Sequence, residues 1–388
     1  MNTLNTKLTG RFDGSNTKQW YEKTISDLTE QNAKRLEIDC EQLSYISGIG
    51  LRQLLSIHEL GYQISCKNVS QDIYEVFDET GLTKIMNIQK KPRKIKIDGF
   101  KSIAHGTVGT VYRLDKDKVL KLFNRNITLD DIEREKQYAQ TTFLLGIPTA
   151  ISYEVVQVDD CYGIILEMAG HTTFSKELTI HMDQFDNLAN QYTSLLKKIH
   201  QTPVETGVLP SIKEIYHQYI DRADYLSQDE ISSLHLLVDS VPERNTMIHG
   251  DYHANNVMIK DDEMILIDLG DVSYGHPIFD LSGMYVSHVL VGNYQPDFIK
   301  AGMGIDYQTC LRLWDSVCHT YFKNKSKENR SRKEQLIRQF ACMKILLMYV
   351  LAPGIEKALT WKPLEDAKEK LFSNIDNLIE ELKKDDLV

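Results

Sequence analysis

The sequence has 388 residues, of which 42% are apolar and 26% are charged, and its formal net charge is −10. This length exceeds the size at which a single hydrophobic core usually stops growing, so we expect two or three domains. The composition is typical of a soluble globular protein. The acidic balance disfavours nucleic acid as a partner and favours a neutral or cationic substrate. The alternative is that the acidity only keeps the protein soluble.

The acidity is concentrated after residue 92, since residues 1–92 contain 11 basic and 12 acidic side chains and the rest contains 34 and 43. Six cysteines occur at irregular spacings without a C-x-x-C pair, as in reduced cytosolic proteins. The first residues contain no apolar signal core. The longest apolar stretch, Ala341–Leu351, is interrupted by Lys344 and is too short to span a bilayer. We therefore predict a cytoplasmic protein without a membrane partner.

Residues 1–89 alternate between strand and helix patterns. Residues 34–40 alternate polar and apolar side chains, as a strand with one covered face does, and 62–66 indicate another strand. Between them, a glycine-bearing turn at 46–51 leads into helical spacing over 51–58. A later helical face contains Ile73, Val76, Phe77 and Leu82. These patterns predict a small α/β domain.

The basic segment 90–98 contains the first proline of the chain and is predicted to be a linker. Its charge run is typical of a solvated tether, and a nucleic-acid or membrane patch is the alternative. From Ile103 to about Met168 the patterns favour strands around one helix. Beyond residue 180 they are mostly helical, with a β-rich interruption near 247–268.

The strongest chemical signal is I-H-G-D-Y-H-A-N-N-V-M at 248–258, followed by M-I-L-I-D-L-G-D at 264–271. Two short apolar segments flank a Lys-Asp-Asp-Glu turn, which predicts a β-hairpin. Asp251 and Asn256 precede its first strand, and Asp268 follows its second strand. We therefore expect these three side chains to meet at one end of the hairpin.

These residue types suit phosphoryl transfer. A carboxylate can take the proton of an acceptor hydroxyl, and Mg²⁺ prefers carboxylate and amide oxygens. Asp251 is the candidate base, with Asn256 and Asp268 as candidate metal ligands; the spacing from Asp251 to Asn256 is that of the kinase catalytic loop. One alternative is an acidic turn with metal-free hydrogen bonds. Another is a zinc site at His249 and His253, which the intervening glycine and the absence of a nearby cysteine disfavour.

A glycine-containing segment upstream could hold the phosphates. Gly106 and Gly109 form a G-x-x-G-x-V pattern between two strand-like segments, and glycines let backbone N–H groups approach phosphate oxygens. A plain glycine hairpin would give the same pattern.

Lys121 lies inside the apolar strand 119–123, where a lysine is costly unless paired. The alternative is an edge lysine whose ammonium reaches water. A predicted helix from Leu129 to about Leu145 carries Glu133 and Glu135, and either could pair with Lys121 and hold it near the phosphates.

Residues 103–388 resemble the aminoglycoside phosphotransferase and choline kinase-like superfamily, distant relatives of protein kinases. The resemblance is carried by H-G-D-Y-H-A-N-N at 249–256, I-D-L-G-D at 267–271 and P-I-F-D-L at 277–281. It implies a bilobal, α+β protein kinase-like fold that uses ATP and Mg²⁺. An N-lobe would cover residues 99–169, and a mainly helical C-lobe would cover residues 170–388.

The resemblance also implies residue roles: Asp251 as the base, Asn256 and Asp268 on the metal, and Lys121 on phosphate. Two departures from protein kinases are Ala104 in place of a first loop glycine and the absence of an A-P-E segment after Asp268. The second departure disfavours a protein kinase.

The adenine-binding hinge of that superfamily falls on residues 163–168, which makes Glu167 and Met168 nucleotide-binding candidates. Asp280 falls where the superfamily has a structural aspartate near its active-site loops.

Residues 5–89 resemble the STAS domain of anti-sigma factor antagonists. The sequence L-S-Y-I-S-G-I-G-L-R at 43–52 matches the loop before that family's second helix, and Gly81 and Leu82 also fit. In the family this loop often carries a phosphorylated serine, whose place Ile49 takes here. Ser47 lies two residues earlier, so we expect a docking surface rather than a phosphoserine switch.

We therefore predict an ATP- and Mg²⁺-dependent phosphotransferase that phosphorylates a hydroxyl of a small molecule, with a STAS module for regulation or protein docking. A nucleotide-binding signalling or scaffold protein with little turnover is the alternative, and a protein kinase is a third reading. Superfamily members act on aminoglycosides, choline, methylthioribose, homoserine and other alcohols, and no acceptor motif in residues 281–388 selects among them.

Overall fold

The computed structural model describes residues 2–351 and 361–384. The chain forms two compact units. One contains Met1–Asp98 and Glu154–Tyr162, and the other contains Gly99–Tyr153 and Gly163–Val388. The first change of unit thus falls at the end of the segment predicted as a linker. The boundary between the two predicted lobes, at 169/170, stays a prediction.

The first unit contains a parallel four-stranded sheet in the order β1-β2-β3-β4. Parallel neighbours need connections that return to the starting end of the sheet, and helices supply them here. The elements are β1 (Thr3–Phe12), α1 (Thr17–Glu30), β2 (Arg35–Ile46), α2 (Gly48–Glu59), β3 (Gln63–Val69), α3 (Gln71–Glu79), a 3₁₀ turn (Leu82–Lys84) and β4 (Asn87–Lys90). The predicted α/β domain is confirmed.

Strand β2 shows why the alternation in the sequence was informative. Leu36, Ile38 and Cys40 are buried, while the intervening Glu37 and Asp39 remain partly exposed. One face of the sheet therefore packs into the core of the unit, as a period of two requires.

The glycine-bearing segment 46–51 differs from its prediction as a turn, because helix α2 already begins at Gly48. Ser47 caps this helix, and its Oγ accepts a hydrogen bond from Gly50 N at 3.2 Å. A Cβ on Gly50 would lie 2.6 Å from the ring of Phe12 and 2.8 Å from its carbonyl oxygen. The glycine thus permits close packing of the helix against β1.

The basic segment 90–98 is only partly the free tether that the sequence predicted. Arg93–Lys94 form strand β5, which pairs in parallel with Val156–Gln157. Arg93 Nη2 also lies 2.7 Å from Glu154 Oε1. The backbone of these two residues is therefore held by strand pairing.

The second unit begins with antiparallel strands in the order β6-β7-β8-β10 and a single helix. This confirms the predicted strand-rich segment around one helix. The elements are β6 (Lys101–His105), β7 (Gly109–Arg113), β8 (Lys118–Phe123), α4 (Leu129–Leu144) and β10 (Cys161–Glu167). The preceding strand β9 (Ser152–Val158) and the first two residues of β10 fall mostly within Glu154–Tyr162, which belongs to the first unit.

The rest of the second unit is mainly helical and contains short strand pairs. The predicted hairpin is present, since β13 and β14 pair antiparallel from Val257–Leu266 to Lys260–Glu263. The strands are β11 (Thr172–Thr173), β12 (Met247–Ile248), β13 (Val257–Lys260), β14 (Glu263–Leu266) and β15 (Ser273–Tyr274). The helices are α5 (Phe174–Ile180), α6 (Phe185–Gln201), α7 (Ile212–Asp221), α8 (Gln228–Ser240), α9 (Ile278–Tyr285), a π-helical turn (Val286–Leu290), α10 (Pro296–Met303), α11 (Tyr307–Tyr321), α12 (Lys327–Leu346), α13 (Met348–Leu351), α14 (Lys362–Phe372) and α15 (Ile375–Lys383).

The apolar stretch that begins at Ala341 forms the end of α12 and then α13, and most of its side chains are buried in the core of this unit. Within residues 2–351 and 361–384, no helix is long and apolar enough to cross a bilayer. All six cysteines fall in these ranges and are free thiols. Strands around one helix followed by a helical region confirm the predicted α+β class.

Candidate functional site

A buried lysine joins the strand-rich and helical parts of the second unit. Lys121 Nζ lies 2.7 Å from Glu135 Oε1 and 2.8 Å from Asp268 Oδ1, and the lysine side chain is only 12% exposed. Burial opposes the charged ammonium, but the charges of Asp268 and Glu135 raise the pKa of Lys121 above its ordinary value. Of the two glutamates considered, Glu135 and not Glu133 is the partner, and the lysine does not reach into open water.

Local sequence fixes where the helix that carries Glu135 begins. Helix α4 begins with a capping box, in which Thr128 Oγ1 accepts from Asp131 N and Asp131 accepts from the Thr128 N–H. The tertiary fold then brings Glu135 against Lys121 of β8. Burial raises the pKa of Glu135, and the negative charge of Asp268 adds to this effect, whereas Lys121 opposes it.

Asp268 follows the hairpin β13–β14 in a left-handed backbone conformation, with φ of +61°. Aspartate is among the few residue types that adopt this region readily. Its side chain is 46% exposed, so the oxygens not facing Lys121 are open to a ligand. The turn brings the carboxylate back towards the start of β13, where Ile267 N donates to Asn256 O at 3.0 Å.

The loop 249–256 presents Asp251 at the other side of this hairpin end. Asn256 Nδ2 donates to Asp251 O at 3.0 Å and to Asp251 Oδ2 at 3.4 Å, and His253 Nε2 lies 3.4 Å from the same Oδ2. Desolvation would raise the pKa of Asp251, but the hydrogen bond from His253 and the charges of His253 and Lys344 hold it well below its usual range. Asp251 is therefore ionised and oriented.

The two histidines of this loop accept hydrogen bonds from the backbone of the loop itself. His249 Nδ1 accepts from Asp251 N at 3.3 Å, and His253 Nδ1 accepts from Asn255 N at 3.2 Å. Burial lowers the pKa of His249. Among residues 2–351 and 361–384, no group of three or more His, Cys, Asp or Glu side chains is arranged to hold a metal, which disfavours the zinc alternative.

Asp280 holds the start of this loop from inside the protein. Its carboxylate accepts from His249 N at 2.8 Å and Gly250 N at 2.7 Å. It also lies 3.0 Å from His200 Nε2, and His200 Nδ1 lies 2.8 Å from Tyr321 Oη. Burial would raise the pKa of Asp280, but the hydrogen bond and charge of His200 lower it. The chain Asp280–His200–Tyr321 thus fixes the loop backbone.

Two charged residues near Asp251 were not assigned from the sequence. Lys344 on α12 donates from Nζ to Gly250 O at 3.2 Å, and the surrounding negative groups raise its pKa although burial opposes this. Burial raises the pKa of Asp271 to about 6, with the carboxylates of Asp251 and Asp268 contributing.

The sequence did contain signals for both residues. Lys344 interrupts an apolar stretch, and the cost of burying a charge without a partner applied to it as much as to Lys121. Asp271 closes the motif I-D-L-G-D, but that motif alone gave it no function.

The two glycines of the predicted phosphate loop differ in their surroundings. A Cβ on Gly109 would overlap the carbonyl oxygen of Leu122 in the neighbouring strand, whereas one on Gly106 would meet only Gly109 O at 3.7 Å. Gly106 N donates to Gly109 O at 2.9 Å and closes the β6–β7 turn. Gly109 is thus required by sheet packing, and the contact of both glycines with phosphate stays a prediction.

The predicted adenine-binding segment already uses its groups within the protein. Met168 N donates to Asp117 O at 2.8 Å, and Glu167 Oε1 lies 2.6 Å from Lys260 Nζ. An adenine ring would have to replace the first bond or use another backbone group of the segment. The role of Glu167 and Met168 therefore stays a prediction.

Two sequence profiles match the chain, and they meet close to the first boundary between the structural units. Residues 99–316, more than half of the chain, match the sequence profile described as phosphotransferase enzyme family, and residues 2–95 match the STAS domain. Among curated proteins, no sequence matches this chain significantly.

Several solved structures are similar to the chain. One is the ternary complex of streptomycin, ATP and APH(2'')-IIa, with 16% identity, a TM-score of 0.45 and coverage of 71% of this chain and 93% of that chain. Another is a choline/ethanolamine kinase family protein from Mesorhizobium loti, with 13% identity, a TM-score of 0.47 and coverage of 74% and 92%. A third is the macrolide 2'-phosphotransferase MphH from Brachybacterium faecium, with 14% identity, a TM-score of 0.37 and coverage of 71% and 93%.

We predict that Gly250→Ala destabilises the protein more than Gly207→Ala does. Both glycines have a φ near +87°, so both substitutions carry the backbone strain of about 1–2 kcal/mol for a left-handed residue. Only at Gly250 would the new Cβ meet neighbouring atoms, with Asp271 Cβ 2.7 Å away, whereas nothing lies within 4 Å at Gly207. Thermal unfolding of the full chain should show a clearly larger fall in Tm for Gly250→Ala. Equal falls would contradict the tight packing of Gly250 against Asp271.

Proposed function

The chain belongs to the phosphotransferase enzyme family, and we propose that it transfers the γ-phosphoryl group of ATP, with Mg²⁺, to a hydroxyl group of a small molecule. The observation that carries this proposal is the convergence of Lys121, Asp251, Asn256 and Asp268 at one end of the hairpin β13–β14. A phosphoryl transferase has little covalent chemistry to supply, so positioned charges of this kind provide most of its catalysis.

The donor set at this end of the hairpin fits Mg²⁺. Asp268 offers a partly exposed carboxylate, and Asn256 uses its amide nitrogen for Asp251, which leaves the oxygen Oδ1 for a cation. Mg²⁺ usually binds one or two protein oxygens together with waters and substrate phosphates, so two protein ligands suffice. When bound, the ion would neutralise the negative charge of the phosphates.

Lys121 has the capacity to hold a phosphate oxygen while it remains in place. An ammonium group has three N–H donors. Glu135 and Asp268 accept two of them, and the third can be given to the nucleotide. Glu135 fixes the lysine, so that its position does not depend on the ligand.

Asp251 is the proposed base. Its Oδ2 faces His253 and Asn256, which leaves Oδ1 for the acceptor hydroxyl. In the proposed step the hydroxyl oxygen bonds to the γ-phosphorus while the bond from that phosphorus to the bridging oxygen of ADP breaks. The hydroxyl proton passes to Asp251 Oδ1, and ADP leaves.

The surroundings of the base favour a small neutral or cationic acceptor. The charge of Asp271 lies close enough to Asp251 for the two carboxylates to interact, and residues 93–388 carry a formal net charge of −9. Only residues 269–272 separate Asp268 from β15, and α9 begins at Ile278, so this segment has no room for a long activation loop of the protein-kinase type.

We predict that Asp251→Asn lowers the turnover of the cognate acceptor by about 10²–10⁴-fold, because the variant keeps the shape of the side chain but loses the base. The affinity for Mg-ATP should change little. Turnover is measured as ATP consumption against a panel of amino alcohols, sugars and aminoglycosides. Asp261→Asn, in the exposed turn of the hairpin, is the matched control and should retain full activity. Full activity of Asp251→Asn would contradict the assignment of the base.

We predict that Asp268→Ala abolishes the Mg-dependent stabilisation by ATP and that Lys121→Ala weakens it. A ligand that binds only the folded state raises stability by RT ln(1 + [L]/Kd), so Tm titrations with Mg-ATP report this binding. Lys116→Ala, at an exposed lysine in the turn before β8, is the control and should behave as the wild type. Equal Tm shifts in all four proteins would mean that the nucleotide binds elsewhere. Binding of Mg-ATP without turnover of any acceptor would instead favour a nucleotide-binding scaffold.

For the STAS domain we propose a docking surface at the start of α2 rather than a phosphoserine switch. Ile49 is 43% exposed, and Tyr45 at the end of β2 is 40% exposed, so this end of the domain presents apolar surface to solvent. The hydroxyl of Ser47 is used inside the domain, where it caps α2 and contacts Phe12 O at 3.3 Å. Such a surface suits an apolar patch on a partner protein.

We predict that Ser47 carries no phosphate in protein purified from its native host, because phosphorylation would remove the hydroxyl from both contacts. Intact-mass and peptide mass spectrometry measure this directly. Exposed serines elsewhere in the chain serve as internal references for detection. A stoichiometric phosphate on Ser47 that changes the binding of a partner would overturn the docking interpretation.

A further inference from the structure

A cavity lies on the helical part of the second unit, and neither Asp251 nor Asp268 lines it. It has a volume of about 510 Å³ and is lined mainly by residues of α6 and α11 and the segments that follow them. This volume falls in the range of small-ligand pockets. Three of its lining residues are lysines, namely Lys197, Lys198 and Lys323.

The positive charges of this cavity are not compensated by the protein. None of the described side chains that line it is acidic. Lys197 Nζ donates to Tyr321 O at 3.2 Å and lies 5.7 Å from the centre of the Tyr321 ring, and neither group carries a formal charge. Within the described part of the chain, no ion pair joins a carboxylate to any of the three lysines. This local excess of positive charge contrasts with the acidic composition of residues 93–388.

The lysines also affect one another. Burial lowers the pKa of Lys197, and the positive charge of Lys323 lowers it further. An anion bound between these side chains would offset the repulsion between the two ammonium groups. The arrangement of the lysines therefore favours a bound anion.

We propose that this cavity binds a small molecule that bears a phosphate group. The ligand class follows from three lysines around a concave space, because a phosphate supplies up to two negative charges in a compact group. The concave space is widely open to solvent and, at about 510 Å³, is large enough for a phosphorylated metabolite, whereas an extended acidic partner or a membrane would contact a broader basic surface. The binding does not depend on the proposed catalytic activity.

The cavity is connected to the loop that presents Asp251. Lys197 contacts the backbone oxygen of Tyr321, and Tyr321 Oη lies 2.8 Å from His200 Nδ1. His200 contacts Asp280, which accepts the backbone N–H groups at the start of the loop 249–256. A ligand that draws the ammonium of Lys197 away from the backbone of Tyr321 therefore acts on the residue whose hydroxyl contacts His200, which makes the cavity a regulatory site.

The binding test uses isothermal titration of inorganic phosphate and pyrophosphate into the full-length Asp268→Ala protein, in which the nucleotide site is disabled. Replacing Lys198 and Lys323 together by glutamine should weaken binding by about tenfold or more, because two nearby charges are lost. The matched control replaces Lys327 and Lys384 by glutamine, which removes the same charge from exposed positions outside the cavity. Its affinity should stay within about twofold of the parent.

Two results would overturn the binding proposal. One is phosphate affinity that is equal in both double variants, which would indicate non-specific attraction to the surface. The other is binding of phosphatidylglycerol vesicles or polyglutamate that depends on Lys198 and Lys323 while phosphate and pyrophosphate do not bind, which would indicate a membrane or an acidic protein as the partner.

The regulatory part has a separate readout. Phosphate should change the hydrogen exchange of the backbone amides in the peptide covering residues 247–254, measured by mass spectrometry in the Asp268→Ala protein. Tyr321→Phe keeps the ring but removes the hydroxyl that contacts His200, so phosphate should still bind while the change in exchange is lost. Unchanged exchange on binding, or an undiminished change in Tyr321→Phe, would contradict the connection.

Discussion

The second unit depends on the burial of one ammonium group between two carboxylates. Lys121 comes from β8, Glu135 from the following helix, and Asp268 from a turn 147 residues further along the chain. A charge that is only 12% exposed is costly unless it is paired and hydrogen-bonded. The strand-rich part and the helical part therefore have to pack so that the end of β14 reaches β8, and this packing places Lys121 at the end of the hairpin that carries Asp268 and Asn256.

The loop around Asp251 also depends on buried polar groups that need partners, and here these groups belong to the backbone. The N–H groups of His249 and Gly250 are directed into the protein, where Asp280 accepts both, and Lys344 donates to Gly250 O. Buried backbone groups need partners of this kind. With its backbone satisfied from inside, the loop can leave the carboxylate of Asp251 half-exposed and still hold it in one orientation. The lack of a side chain on Gly250 allows this close approach to Asp271.

Within its described residues, the first unit does not depend on a buried ion pair of this kind. It is a parallel sheet connected by helices, and a side-chain cap marks the start of α2. At the start of α2 the serine that could have been a regulatory group is used for capping, and Ile49, two positions later, faces solvent. This turn therefore presents apolar surface at the position where the resemblance to STAS domains would place a phosphorylated serine. This distribution supports a constant contact rather than one that is changed by phosphate.

The sequence by itself determined the period of the strands and helices, the hairpin at 257–266, and the spacing that groups Asp251, Asn256 and Asp268. These features depend on neighbours along the chain, so local patterns and a short motif were sufficient. The tertiary structure alone decided that Glu135 and not Glu133 pairs with Lys121, because helix phase and packing against β8 select between two residues of one turn. It also decided that Gly109 serves sheet packing, that Met168 N is bonded to Asp117, and that Lys344 reaches Gly250. Each of these is a contact between residues distant in sequence or on different elements, and no local pattern specifies which atoms meet there.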